Sequence, residues 1–265
     1  MNILIIGFGD IGKEVGQRLV KQGHQVMALK RSVDAYHDSI QADITKPLSC
    51  RKDFDYVLYI VTPSSRDEIG YKAVFDEGLH NALSYFSKSV FLFISSSVVY
   101  GQEDGSWVDE TSATTKESMR AKVLVAAEDA VLSAHDKSVV IRFSGIYGRG
   151  GKHLLQRLQR GEAIQYAPPY YTNRIHKEDC IGVICFIMIE MFKGGLKERV
   201  FNATDSHPLP LYEVASLTAK AAKIPAAQKK FLEKNSSQNK RLSNKRLLAL
   251  GYRFIYPAFS TTHLR

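Results

Sequence analysis

Six residues near the start of the chain, Gly7-Phe8-Gly9-Asp10-Ile11-Gly12, have the types and spacing of a loop that grips a diphosphate. They follow an apolar run, Asn2–Ile6, that reads as a buried strand. They precede Ile11, Val15 and Leu19, whose four-residue spacing marks one face of a helix. Strand, glycine turn and helix in that order make GxGxxG specific, where the bare string would be weak. Gly7 permits the tight turn, Gly9 lets a pyrophosphate approach the main chain, and Gly12 lets the helix lie close on the strand. The helix N-terminus then presents N–H groups and the positive end of its dipole to an anion. A structural βα turn without ligand is the competing reading, and three glycines at this spacing are costly for that purpose alone.

About 20 residues further on, the end of the second strand discriminates between dinucleotides. A carboxylate there suits the free ribose hydroxyl of NAD, and an arginine accommodates the 2′-phosphate of NADP. This chain has Lys30-Arg31-Ser32, two cations and a hydroxyl fit for a dianionic phosphate, so NADP is expected. Asp34 keeps NAD open. Asp43, after a third short strand, can accept from an adenine amino group or cap its own loop. Thr62-Pro63 closes the fourth strand, at the carboxyl edge where ligands sit in open α/β sheets.

The elements that must position these residues alternate. Strands are expected at Gln25–Lys30, Ile40–Asp43, Tyr56–Val61, Val90–Ser95 and Ser138–Phe143, with helices over 67–87 and 117–133. Such alternation implies βαβ units and a parallel sheet covered on both faces. Beyond the glycines at 148, 150 and 151 the pattern loosens into a short helix (152–160), the turn-rich Pro168-Pro169-Tyr170-Tyr171, an apolar helix (Ile181–Phe192), a strand (Arg199–Ala203) and a helical, basic tail from Leu211. The expected fold is α/β, a Rossmann-type doubly wound parallel sheet over 1–148, with 174–204 returning to it and a small interleaved cap over 149–265.

Composition narrows the class. The 265 residues, 45% apolar and 24% charged, exclude wholesale disorder. No apolar run nears the roughly 18 residues of a membrane span, and the N-terminus lacks a basic secretory n-region. Cys50, Cys180 and Cys185 cannot build a disulfide framework, and no Cys/His cluster suggests a metal. A cytoplasmic protein without membrane partner is expected. The net charge of +9 concentrates late, at Lys229, Lys230, Lys234, Lys240, Arg241, Lys245 and Arg246. A solvated helical face is the first reading, anionic-ligand attraction the second, and nucleic-acid binding the last, because no aromatics interleave with the run.

Three later segments carry a resemblance. Phe93-Ile94-Ser95-Ser96-Ser97-Val98-Val99-Tyr100-Gly101 resembles the SSxxVYG segment of extended short-chain dehydrogenases/reductases, the epimerase/dehydratase branch. Val140 to Gly148 is similar to that family's R-x-x-x-x-YG segment, and Asn173 to Asp179 to its R-x-(F/I)-(V/H)-x-x-D stretch. The resemblance implies a Rossmann domain, a nicotinamide cofactor and often a nucleotide-sugar substrate. It implies that Ser96 hydrogen-bonds the substrate oxygen. It also implies a Tyr-x-x-x-Lys pair on a helix, and here the matching segment is Ser118-Met119-Arg120-Ala121-Lys122, with the lysine kept and the tyrosine replaced. An atypical, YeeZ-like subgroup fits that pattern.

The replacement has chemical consequences. A phenol with pKa near 10 can be tuned by a cation, whereas a serine hydroxyl is far less acidic and cannot act as general acid without a base of its own. Lys122 is expected to hold the nicotinamide ribose. A proton donor must then come from Tyr100, Tyr147 or His176, unless these are packing groups. Arg174, with His176 and Tyr147, is a candidate for a small anionic substrate, or else a salt bridge within its loop. Cys180 and Cys185 read as core packing. Two functions remain: an NADP-preferring epimerase/dehydratase-like oxidoreductase, and a non-catalytic NADP-binding sensor. Helices over 67–87 and 117–133 commonly form dimer bundles in related proteins, which makes a homodimer an expectation.

Overall fold

The computed structural model describes residues 1–31, 38–51, 53–148, 153–234 and 238–262. The chain opens with β1 (Asn2–Ile6), α1 (Asp10–Lys21), β2 (Gln25–Lys30), β3 (Ser39–Gln41) and β4 (Tyr56–Tyr59). Next come α2 (Glu68–Lys72), a π-helical turn (Ala73–Glu77), α3 (Gly78–Tyr85), β5 (Val90–Ser96), β6 (Trp107–Val108) and α4 (Met119–Ala134). They are followed by β7 (Val139–Phe143), β8 (Gly145–Tyr147), α5 (His153–Gln159), β9 (Ile164–Ala167), β10 (Tyr171–Thr172) and β11 (Arg174–His176). The remainder is α6 (Lys177–Lys193), β12 (Val200–Ala203), β13 (Leu209–Pro210), α7 (Leu211–Ala222), β14 (Lys229–Phe231), β15 (Arg241–Leu242) and α8 (Lys245–Leu250).

Seven strands form one parallel sheet in the order β12-β7-β5-β4-β1-β2-β3. Ile3, Leu4, Ile5 and Ile6 of β1 are at most 1% exposed, as a strand covered on both faces requires. β1 pairs with β2 on one side and β4 on the other, Ile6 standing opposite Leu29 and Tyr59. Strand order therefore reverses at β1, and the crevice beyond the carboxyl ends of β1 and β4 is the topological switch point.

Two compact units are woven from the chain. One comprises Met1–Val99, Thr114–Arg142 and Ile181–Phe201; the other Tyr100–Ala113, Phe143–Cys180 and Asn202–Arg265. This is a finer interleaving than a boundary at 148 with a return over 174–204. Among its described residues the second unit holds four two-stranded ladders, β10-β13, β11-β8, β14-β9 and β15-β6. A small core of Leu158, Ile164, Ala215, Ala219 and Ala227 holds α5, β9 and α7 together. No helix among the described residues is long and apolar enough to cross a membrane.

Two expectations change. The helix expected over 67–87 is interrupted by the π turn, where the Tyr59 hydroxyl from β4 donates to the Val74 carbonyl at 2.5 Å. That bond holds the carbonyl outward at the point where the i→i+4 ladder is widened. The basic tail is a solvated helical face only in part, at Lys245, exposed on α8. Lys229 and Lys230 lie on β14, Lys240 is 3% exposed, Arg241 stacks between Trp107 and Tyr171, and Arg246 stands 3.6 Å from Glu110. The expectation that Cys180 and Cys185 are core residues agrees with their burial, which pushes both thiols up, that of Cys185 to about 11.

Candidate functional site

The turn after β1 is shaped by contact with β4. Gly7 has φ +100°, and a Cβ there would lie 2.2 Å from the Ile60 carbonyl oxygen. Gly12 lies so close beneath it that a Cβ would come within 2.5 Å of the Gly7 oxygen. Gly9 is different: a Cβ there would meet nothing within 4 Å, so its free side faces open space. Gly9 is also the N-cap of α1 and supplies no side-chain cap, so the first turn is left to whatever lies in front of it. Asp10 and Ile11 form that first turn.

In front of the turn is a groove of about 470 Å³, walled by Gly7–Gly9, Leu29–Arg31, Ala42–Thr45 and Ile60–Thr62. It brings together the residues read as cofactor-binding, from Gly7 and Phe8 to Lys30, Arg31, Asp43 and Thr62. The Lys30 ammonium lies 5.6 Å above the Phe8 ring, and Arg31 is exposed at the rim. Asp43 accepts from the Thr45 amide at 3.0 Å and its hydroxyl at 2.9 Å, which holds its carboxyl below the usual range. It caps its own loop while lining the groove. Ser32 and Asp34 lie outside the described residues. An open groove against bare backbone at Gly9, lined also by Lys30 and Arg31, fits a dinucleotide.

Neither Ser118 nor Lys122 lines the glycine-turn groove. Ser118 is the N-cap of α4, its Oγ accepting from the Ala121 amide at 3.1 Å, so the hydroxyl serves the helix end. Lys122 lines another groove, about 550 Å³, with Glu68, Lys72 and Asp76, and no residue is shared with the groove at the glycine turn. The face of α4 against the sheet instead carries Glu128, which is 2% exposed. Glu128 accepts from Ser95 Oγ at 2.5 Å and from Arg142 at 2.6–3.1 Å, tying α4 to β5 and β7. Ser96, one residue on, is half-buried at the carboxyl end of β5, its Oγ accepting a long 3.4 Å bond from the Val98 amide.

The phenol of Tyr100 is engaged within the protein. It is fully buried in the second unit, and its hydroxyl donates to Asn202 Oδ1 at 2.9 Å. Tyr147 receives the Ser260 amide at 3.0 Å and donates to the Ala258 carbonyl at 3.4 Å, and burial pushes its phenol up to about 12. His176 accepts from the Glu178 amide at 3.2 Å, stacks on Tyr256 at 3.8 Å and meets Tyr147 edge-on at 5.1 Å. These contacts match a packing histidine.

Arg174 behaves differently. It is half-buried over the Phe259 ring at 5.5 Å; its Nε has no hydrogen-bond partner, and no carboxylate stands within 4.0 Å among the described residues. Burial pulls its pKa down. Nearby, Asp205 is 2% exposed and accepts from the His207 amide at 3.2 Å; burial lifts its carboxyl to about 7. Sequence reasoning missed Asp205 because its environment comes from β11 and the loop after β12, far apart in the chain. Asp179 stood in the sequence only as the last residue of the Asn173 to Asp179 stretch, with no role read for it; its carboxylate accepts from Tyr252 Oη, Ile255 N and Tyr256 N at 2.8–3.0 Å and so fastens the C-terminal segment. Among the described residues no group of His, Cys, Asp and Glu could hold a metal ion.

Parallel sheet, switch point and glycine turn define a Rossmann-type protein built to take a dinucleotide. Residues 3–202 match the model of the NAD dependent epimerase/dehydratase family. A structure of a candidate NAD-dependent epimerase/dehydratase from Methylobacillus flagellatus is similar at 34% identity and TM-score 0.79, over 97% of this chain and 94% of that one. UDP-glucuronic acid 4-epimerase from Bacillus cereus in complex with NAD aligns at 18% identity and TM-score 0.75, over 98% and 94%. Human epimerase family protein SDR39U1 (isoform 2) with NADPH aligns at 19% and 0.75, over 97% and 96%. These last two speak for the fold. No curated protein gives a match. The chain belongs to the NAD-dependent epimerase/dehydratase family, in which NAD(P) binding is typical.

Proposed function

We propose that the chain is an NADP-preferring, epimerase/dehydratase-like oxidoreductase of the atypical YeeZ-like kind, acting on a nucleotide-sugar or other small anionic substrate. The observation that carries the reading is the groove at the switch point, where Gly9 leaves bare backbone facing open space and Lys30 and Arg31 stand at the wall. The amides at Gly9 and the first turn of α1 would hold the diphosphate, and Lys30 and Arg31 a 2′-phosphate. A nicotinamide dinucleotide bound there supplies reversible hydride transfer. Ser96, with its hydroxyl proton uncommitted among the described residues, would donate to a substrate oxygen. Arg174, half-buried, with an Nε that has no hydrogen-bond partner and no carboxylate within 4.0 Å among the described residues, supports an anionic substrate, since a charge withdrawn from water is costly unless paired.

Titration calorimetry tests the cofactor. Arg31→Glu should weaken NADPH at least tenfold more than NADH; equal losses would remove the phosphate argument. A second reading, a non-catalytic NADP-binding sensor, is favoured by one observation: position 118 carries a helix-capping serine in place of a phenol, so it offers no Tyr-x-x-x-Lys chemistry. NADPH oxidation with a panel of carbonyl and nucleotide-sugar substrates separates the two. Tight NADPH binding with no turnover across the panel supports the sensor.

A further inference from the structure

The sheet-facing side of α4 has a fixed phase. Glu128 is locked to β5 and β7, and Leu124, one turn earlier, is 3% exposed. Four-residue steps keep side chains on one stripe, within about 40° of each other. The next residue of that stripe toward the N-terminus is Arg120. Lys122 stands two residues from Leu124, about 200° around the helix, and accordingly lines the groove with Glu68 and Lys72. Because α4 runs antiparallel to β5 and β7, its first turn lies at the carboxyl edge of the sheet. There the Arg120 guanidinium sits over the Tyr71 ring at 5.6 Å and donates to the Arg66 carbonyl at 3.3 Å. Arg66 follows Thr62 and Ser64, which line the glycine-turn groove. That 3.3 Å bond is its sole hydrogen bond among the described residues, and no carboxylate lies within 4.0 Å. A half-buried guanidinium with five donors, one of them used weakly, is poised for an oxyanion.

We propose that Arg120, not Lys122, is the α4 cation serving the ligand edge, and that its guanidinium takes an anionic oxygen, phosphate or carboxylate, of the bound ligand. The inference rests on the dinucleotide reading of the same edge. The oxygen can belong to the dinucleotide or to a second ligand beside it.

Calorimetry distinguishes these sources. NADPH is titrated into wild type, Arg120→Met, Arg120→Lys, Lys122→Met and Lys72→Met; UDP and inorganic phosphate are then titrated into each NADPH-saturated protein. Arg120→Met should weaken at least one probe tenfold or more, Arg120→Lys should recover part of the loss, and the Lys122 and Lys72 variants should stay within twofold of wild type. A loss on NADPH assigns the oxygen to the dinucleotide, and a loss confined to UDP or phosphate assigns it to the second ligand. Arg120→Gln, which keeps donors without the charge, replaces the methionine variant should that one misfold. Wild-type behaviour of Arg120→Met toward all three probes, or a loss carried by Lys122→Met instead, overturns the proposal while the dinucleotide reading stands. Failure of wild type to bind any probe overturns both.

Discussion

The glycine-turn edge and the interior of the second unit solve opposite problems. At the edge the working groups are mostly main chain, close in sequence, and kept clear of side chains: Gly7 and Gly12 exist to let backbone meet backbone, and Gly9 faces open space. In the second unit the working groups are buried charges gathered from three separated segments. They also differ among themselves. Asp179 has three donors and acts as a fastener. Asp205 has one, beside an Arg174 whose Nε has none, so the pair is under-satisfied in the protein alone. A buried polar group with its full complement of partners holds a fold together; one without it is waiting for a ligand or a proton.

The largest expected effect breaks the edge itself. Gly7→Val places a branched side chain at φ +100° and drives its Cβ into the Ile60 carbonyl. The variant should lose roughly 5 kcal/mol or more, or fail to fold. Chemical denaturation with a midpoint near that of wild type would show that the turn tolerates a Cβ and that its shape is not what Gly7 provides.

Next is the pH response of the second unit. Asp205 is surrounded by the His207 amide, Arg174 and Asp179, and burial raises its carboxyl from the usual 3.8 to about 7. Its folded-state pKa is raised, so between about pH 4 and pH 7 the native state holds a proton that the unfolded chain has released. Stability from this group is complete below the unfolded pKa and declines as pH rises through that window, by at most about 1.4 kcal/mol per pH unit. Asp205→Asn should flatten the wild-type slope there and gain relative stability at pH 8 over pH 5. Parallel unfolding free energies for the two proteins from pH 4 to pH 8 would rule out a protonated Asp205.

How much of this was legible in the sequence follows from the same contrast. β1, the glycine turn and α1 are contiguous, and their period, glycine spacing and buried run all point one way, so strand limits at Asn2–Ile6 and Gln25–Lys30 come straight from the pattern. Ser118 and Lys122 mark the limit of the pattern: a four-residue spacing fixes only that two residues share a face, not which face meets the sheet. That phase is set by Glu128, whose burial depends on Arg142 and Ser95. The basic tail misled for a related reason: Lys240 and Arg241 find their partners in residues 100–107, over 130 positions away, where no local pattern reports them.

A subtler effect sharpens the edge. Gly9→Val has room for its side chain, since a Cβ there meets nothing within 4 Å. Its stability should match wild type within about 1 kcal/mol, whereas NADPH affinity should fall at least a hundredfold, about 2.7 kcal/mol. Equal loss of both would mean that Gly9 serves folding, and undiminished NADPH affinity would sink the phosphate assignment.

The smallest expected effect lies at Tyr100. Its hydroxyl donates to Asn202 Oδ1, and Asn202 Nδ2 has no partner among the described residues. Tyr100→Phe keeps the ring and removes the donor, leaving the amide oxygen stranded in a fully buried site. The cost should be about 1–2 kcal/mol in unfolding free energy, with NADPH affinity within twofold of wild type and any turnover kept. Asn202→Leu, which removes the stranded amide as well, should recover part of that cost in the double variant, because two apolar groups in place of a half-satisfied polar pair is the cheaper state in low dielectric. Lost turnover in a Tyr100→Phe protein of unchanged stability would reverse the assignment and return the phenol to the chemistry.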